Sequence, residues 1–272
     1  MISFVKPSII PGFKFSFCFG VGYLFFLVIV PLFTLIAFSF QIGFSGFLRA
    51  ILDKQVLSAL FFSLSTSFCA AIVNLIFGFV IAWSLARYEF FGKRILDALV
   101  DLPFALPTAV AGIALSFLLA ESGILGAFLG IFGFEAQRAS FFGVCLALVF
   151  IGMPFVVRTL EPVIKDFDDS SLEAAMCLGA NFWQTFFFVV IPSLLPAALT
   201  GFALAFARGL GEYGSVIFIS SNIPFESQIL PVVIVSKIES HDYLGASVVG
   251  VFMIVVSFLL LFAIAYLQGK RN

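Results

Sequence analysis

Long apolar stretches alternate along this chain with short polar ones, and the apolar stretches have the length of membrane spans. A helix needs about 20 apolar residues to cross the hydrocarbon core of a bilayer. Runs of that order occupy residues 17–40, 58–84, 99–120, 140–160, 187–219 and 244–267, so six spanning helices are predicted. A further apolar segment, 123–134, is too short to cross. The first run follows Lys6 and Lys14, is far longer than a signal-peptide core, and has no A-x-A-like cleavage site behind it. It reads as an uncleaved anchor. The segment from Lys165 to Glu173, KDFDDSSLE, cannot sit in hydrocarbon, where each unpaired charge costs about 2.5 to 3.5 kcal/mol even on the insertion scale.

Composition supports the same class. The chain is 62% hydrophobic and 11% charged, against about 25% charged in soluble domains. It is predicted to be an all-α polytopic membrane protein embedded in lipid, with residues 1–272 forming one transmembrane domain. A formal net charge of -1 leaves no electrostatic footprint for nucleic acid. With the N-terminus inside, Lys6, Lys14, Arg87, Lys93, Arg94, Arg158, Lys165, Lys270 and Arg271 fall on the cytoplasmic side, against Arg49, Lys54, Arg138 and Lys237 outside. Positive charge is retained on the cytoplasmic face, so both termini, and the polar segment around Glu173, are predicted to be cytoplasmic.

The residues of catalysis and metal binding are sparse. Cys18, Cys69, Cys145 and Cys177 are scattered singly, without CxxC spacing or a neighbouring His, which supports neither a disulfide framework nor a metal site. His241 stands alone in a hydrophilic connection. Gly92-Lys93 has Arg87 where the first glycine of a P-loop would fall, so the chain has no cradle for nucleotide phosphates. An intramembrane enzyme would have only Asp101, Arg208 and Glu212 to work with, besides hydroxyls and single thiols. A membrane scaffold or sensor could use the polar segment to bind a partner, but would not require charges within a span.

Two membrane segments carry features of a transport path. Pro103 and Pro107 lie in one apolar run; each removes a backbone donor and breaks or kinks its helix, which hydrocarbon tolerates only where protein or a water-filled cavity satisfies the freed carbonyls. A plain structural kink is the alternative. In the fifth run Ala197, Gly201, Ala205 and Gly209 recur every four residues, with Ala203, Ala207 and Gly211 alongside, a stripe that lets helices approach closely. Arg208 and Glu212, one turn apart, can pair within that span. Pro103, Pro107, Asp101, Arg208 and Glu212 are therefore the candidate path residues.

The polar segment holds successive helix-start signals. Ser170-x-x-Glu173 has the form of a capping box, Gly179 suits a left-handed helix end, and Asn181-x-x-Gln184 can cap a second helix. The pattern predicts a helix, a sharp glycine turn and another helix within a loop at about 161–186. Glu173-Ala174-Ala175, Gly179 and Pro192 resemble the EAA motif of bacterial ABC importer permeases, EAA-x3-G-x9-I-x-L-P, with Val189 and Ile191 as mild replacements. The resemblance implies coupling helices that dock on a separate ATP-hydrolysing subunit, so that ATP and Mg are bound there and this chain holds no cofactor.

A narrower resemblance covers most of the chain. Residues 97–112 (DALVDLPFALPTAVAG), 151–158 (IGMPFVVR), 206–214 (FARGLGEYG) and 236–247, with His241-Asp242-Tyr243, are similar to the T-type permeases of sulfate/thiosulfate importers. Molybdate permeases share the EAA loop and an ARSLGEFG-like stretch, whereas the LPFALPTAVAG run points to sulfate. Gly209 stands where relatives often carry Ser, and 121–138 departs from the pattern. The resemblance implies a type I ABC importer permease fold, two ATPase subunits, a sister W-type permease and an extracytoplasmic sulfate-binding protein, in a bacterial cytoplasmic membrane.

Overall fold

A computed structural model describes residues 12–132 and 140–269. Lys6, Arg138, Lys270 and Arg271, used above to orient the chain, lie outside the described residues. Among the described residues every regular element is helical. Six stretches are long and apolar enough to span a membrane: Phe15–Ile42, Lys54–Arg87, Thr108–Ile131, Ser140–Lys165, Phe182–Leu210 and Tyr243–Tyr266. The first contains α1 (Phe13–Leu24) and α2 (Val30–Ser39), and α3 (Phe44–Ile51) leads into the second, α4 (Lys54–Arg87). Next come α5 (Lys93–Ala105), α6 (Thr108–Leu119), α7 (Ile124–Ile131) and the fourth span, α8 (Ser140–Lys165). The polar segment forms α9 (Asp169–Cys177) and α10 (Phe182–Thr185), followed by α11 (Ile191–Leu210), α12 (Val216–Ile219), α13 (Leu230–Glu239) and α14 (Tyr243–Gly269).

The core is a three-helix contact between α4, α8 and α11. Val156, Val157, Leu160 and Ile164 of α8 meet Ala71, Ala82 and Leu85 of α4 and Leu194, Ala205, Phe206 and Leu210 of α11 in one buried cluster. The small-residue stripe explains how the helices come so close. A Cβ at Gly201 would lie 3.1 Å from the Cα of Val156, and one at Gly209 would lie 3.1 Å from the hydroxyl of Ser67. The stripe therefore seats α11 on α8 and α4 of the same chain. The first span makes no such contact: its most apolar window has none of its residues buried, and among the described residues α2 packs chiefly on α14.

Prolines account for the departures from straight helices. A π turn at Phe25–Ile29 precedes Pro31, and another at Phe186–Val190 precedes Pro192. In each, the residue just before the proline bonds five residues back, Val30 to Phe25 and Ile191 to Phe186. The wider turn makes room for a ring that would strike the carbonyl four residues back.

Three expectations are corrected. The predicted third span, 99–120, is broken: Leu106 is extended (ψ 135°) ahead of Pro107, the conformation that a following proline imposes. Residues 93–105 form the separate helix α5, and the span begins at Thr108. The predicted fifth span, 187–219, ends at Leu210, and the chain then turns into the short α12. The connection that contains His241 is not simply hydrophilic either: Leu230, Val232 and Val233 of α13 are buried, packed on α14 and α4.

The α8–α11 contact gives a direct test. Gly201→Val drives a branched side chain into the backbone of Val156 and should cost about 1–3 kcal/mol, read as a lower thermal midpoint and a smaller monodisperse fraction in detergent. Gly130→Ala, where nothing lies within 4 Å of the new carbon, should change neither.

Candidate functional site: a broken span and an exposed helix pair

The break before α6 and the turn after α11 are far apart in sequence and adjacent in space. A Cβ at Gly214 would fall 2.3 Å from Thr108 Oγ1, and one at Gly112 would fall 2.4 Å from the Ser215 carbonyl. Only glycine permits that approach, so the 211–215 turn rests on the first turns of α6. Pro107 is the residue from which α6 starts, its carbonyl accepting the Ala111 N–H at 3.1 Å. Pro103 lies inside α5, where the neighbouring Phe104 ring meets Phe155 of α8 edge-on at 5.3 Å.

Arg208 and Glu212 close this region. Arg208 Nη1 lies 2.6 Å from Glu212 Oε2. The other carboxylate oxygen, Oε1, accepts the backbone N–H of Ser215 at 2.9 Å and its hydroxyl at 3.1 Å. Glu212 is only 2% exposed and is fully engaged. It neutralises Arg208 and holds the turn at once. Arg208 is a third exposed and has no second partner among the described residues, so several of its N–H donors are uncommitted.

Asp101 is not part of this pair. Its carboxylate receives Arg158 through two bonds, from Nε at 2.8 Å and Nη2 at 2.6 Å. Arg158 also reaches Glu161 at 2.7 Å, the Asp97 carbonyl at 3.1 Å and the Asp97 carboxylate at 2.7 Å. Four of these contacts are hydrogen bonds, and the fifth, to the Asp97 carboxylate, is an ion pair whose Oδ1 accepts no hydrogen bond. Glu161 in turn binds Lys165 at 2.7 Å. The cluster ties α5 to α8, and it places Arg158, counted above as a loop cation, within the fourth span.

The exposed helix pair follows its predicted pattern with one change. Asp168, not Ser170, caps α9: its carboxylate accepts the Ser170 N–H at 2.9 Å and the Ser170 hydroxyl. These bonds hold the Asp168 carboxyl below the usual aspartate range, the hydroxyl contributing most. Glu173 is free of the cap, exposed, and without a partner among the described residues. Ala174 is exposed, and Ala175 is buried.

Gly179 has φ +80°, the left-handed backbone that favours glycine. There the Ala180 N–H reaches the Ala175 carbonyl at 3.0 Å and the Gly179 N–H reaches that of Met176 at 2.9 Å, both bonds of a Schellman motif. Asn181 and Gln184 form the second box reciprocally, each bond 2.9 Å. Met176, Leu178, Phe182 and Trp183 stand out from the pair, Leu178 at 88% exposure. Pro192, the end of the motif, is the second residue of α11, just after the π turn.

Residues 74–272 match the model of the family described as "Binding-protein-dependent transport system inner membrane component". The chain belongs to that family. Among its relatives, the "Probable sulfate transport system permease protein cysT" of Prototheca wickerhamii is 43% identical over 248 residues, 91% of this chain and 97% of that one. The "Sulfate transport system permease protein CysT" of Escherichia coli K12 is 39% identical over 270 residues, 99% of this chain and 97% of that one. Its counterpart in Synechocystis is 43% identical over 251 residues, 92% and 87% of the two chains. A chain of a bacterial alginate ABC transporter, solved with its alginate pentasaccharide-bound periplasmic protein, superimposes with a TM-score of 0.77 at 16% identity, covering 95% and 94% of the two chains. This member of the binding-protein-dependent family is thus a multi-pass membrane protein with an ABC transporter fold.

Sequence reasoning missed the Arg158 cluster, because Asp97 and Asp101 lie about 60 residues from Arg158 along the chain. The spacing of Asp97, Asp101 and Pro103 on one short amphipathic helix was the available signal. Arg158→Gln leaves three carboxylates without their common cation and should lower the thermal midpoint, at a cost of about 1–2 kcal/mol after allowing for solvent screening. Adding Asp97→Asn and Asp101→Asn should recover most of that loss.

Proposed function

We propose that this chain is a permease subunit of an ATP-driven ABC importer that moves sulfate or thiosulfate across the cytoplasmic membrane, with both termini in the cytoplasm. The observation that carries the cargo assignment is the likeness, at about two residues in five over nine tenths or more of the chain, to proteins named as sulfate permeases. In this reading the helix pair of α9 and α10 lies in the cytoplasm and docks on a separate ATPase subunit, two copies of which bind ATP and Mg. Its exposed apolar ridge and unpartnered Glu173 support a protein contact there. A sister W-type permease and an extracytoplasmic sulfate-binding protein complete the complex.

The charges allot the work within the membrane. Arg158 is shared among three carboxylates, which compete with any oxyanion for it. Arg208 keeps donors free beside a helix break, and Glu212 holds part of its charge so that an anion attracted to it can also leave. Pro103 and Pro107 give the neighbouring segment its hinge. Most of the selectivity belongs to the binding protein, since one half-neutralised arginine is not a complete oxyanion site.

Uptake of labelled sulfate into proteoliposomes containing the whole complex tests the reading. Sulfate and thiosulfate should compete, and molybdate should compete poorly; stronger competition by molybdate would reassign the cargo. Gly179→Val should lower uptake at least ten-fold while the chain still inserts, because a branched residue is strained at that φ. Normal uptake with normal assembly would remove the loop from coupling.

Arg208→Ala should lose uptake and leave Glu212 costly to bury. Combining it with Glu212→Gln should recover assembly better than transport. Equal recovery of both would make the pair structural and take Arg208 out of the anion path.

A further inference from the structure

The helix pair is held from both sides by a single face of α4. Phe79, Trp83 and Arg87 are spaced four residues apart and so form one stripe along the last turns of that helix. On the incoming side, Arg87 Nη1 bonds to Asp169 Oδ1 and Nη2 to the Phe167 carbonyl, both at 2.7 Å. Its guanidinium lies over two rings, 5.8 Å from Trp83 and 5.7 Å from Phe167, and the side chain is only 19% exposed.

On the outgoing side, Phe79 stacks on Trp83 at 5.9 Å and meets Phe186 edge-on at 6.0 Å. Phe186 stacks in turn on Phe182, the first residue of α10, at 6.3 Å. A fork of two charge-assisted bonds, a cation between two aromatic faces and a run of stacked rings therefore join α9 and α10 to one helix. At 34 residues and 1.5 Å per residue, α4 is roughly 50 Å long, well beyond a hydrocarbon core of about 30 Å. It has length to extend to the loop and still cross the membrane within the three-helix core.

We infer that α4 is the element through which motion of the helix pair enters the membrane, and that Phe79, Trp83 and Arg87 are the positioning residues that seat the pair on it. The inference rests on the coupling role proposed above for the loop. Arg87 touches neither cargo nor nucleotide in this scheme; it fixes the angle at which the pair is presented and makes the pair follow α4 as one body. Lysine cannot replace it fully, because an ammonium lacks the planar fork that reaches Asp169 and the Phe167 carbonyl together while its charge stays over two rings.

The test uses the complete complex in proteoliposomes and reads three quantities for each variant. These are labelled sulfate uptake per assembled complex, ATP hydrolysis with and without the sulfate-loaded binding protein, and disulfide cross-linking of Leu178→Cys to cysteines introduced on the ATPase. Arg87→Ala and Trp83→Leu should keep basal hydrolysis and the cross-link, lose at least ten-fold in uptake, and lose stimulation by the loaded binding protein. Arg87→Lys should fall between these and the unaltered chain. Arg94→Ala, at a neighbouring exposed cation whose charge acts on Glu89 rather than on the helix pair, should behave as unaltered.

If Arg87→Ala assembles poorly, Asp169→Asn, which removes one bond at a side chain 66% exposed, should show the same loss of stimulation at normal assembly. Full stimulation and uptake per complex in Arg87→Ala, or in Asp169→Asn where the former does not assemble, would overturn the seat while leaving the docking intact. Absence of the cross-link in the otherwise unaltered complex would instead overturn the docking itself.

Discussion

A backbone surrounded by hydrocarbon has no water to bond with, so every N–H and carbonyl must be satisfied inside the protein, and the architecture of this chain follows from where that rule is hardest to meet. Straight α-helices meet it automatically. Prolines do not; Pro103, Pro154, Pro162 and Pro196 stay inside continuing helices, while three others change the path of the backbone. At Pro31 and Pro192 the helix rewinds into a wider turn whose bonds reach five residues back. At Pro107 the helix stops and restarts. A break of that kind persists only where protein or a water-filled cavity satisfies the freed groups, and the turn holding Glu212 is packed against α6 just beyond it, at a distance only glycine allows.

The same low-dielectric setting governs the charges. An ion removed from water needs a partner, and each arginine whose placement matters here has found one in a different way. Arg158 is surrounded by three acidic side chains and serves as a strut between α5 and α8. Arg87 sits at a helix end, divided between Asp169, a carbonyl and two rings. Arg208 has one carboxylate, itself shared with Ser215. The count of carboxylate partners separates Arg158, which has three, from Arg87 and Arg208, which have one each, and the roles proposed for those two rest on where each sits.

The helix pair shows how a short polar segment becomes rigid without a core of its own. Capping by Asp168, the Schellman turn at Gly179 and the reciprocal bonds of Asn181 and Gln184 satisfy its helix ends locally. Rigidity within the pair then makes its attachment to α4 consequential, because a stiff element transmits a displacement that a loose loop would absorb.

The class of the chain, its number of spans and the form of the helix pair were legible in the sequence, since each depends on local rules. Apolar runs of bilayer length, a proline that forces its predecessor into extended backbone, and a glycine at a left-handed position act over a few residues. Where several local solutions compete, the sequence is ambiguous: Ser170 and Asp168 are both credible caps, and the tertiary path of the chain into α9 chose Asp168. The end of the fifth span was hidden for a related reason. Apolar residues continue to 219, but a buried carboxylate that needs Arg208 and Ser215 together turns the chain at Gly211. The pairing of Arg158 with Asp97 and Asp101, the meeting of Gly112 and Gly214 with residues a hundred positions away, and the seat of the helix pair on α4 were decided only by the packing of α4, α8 and α11. Such contacts join residues that share no local pattern, and only the folded arrangement of the helices brings them within the few ångströms over which ion pairs and van der Waals contacts act.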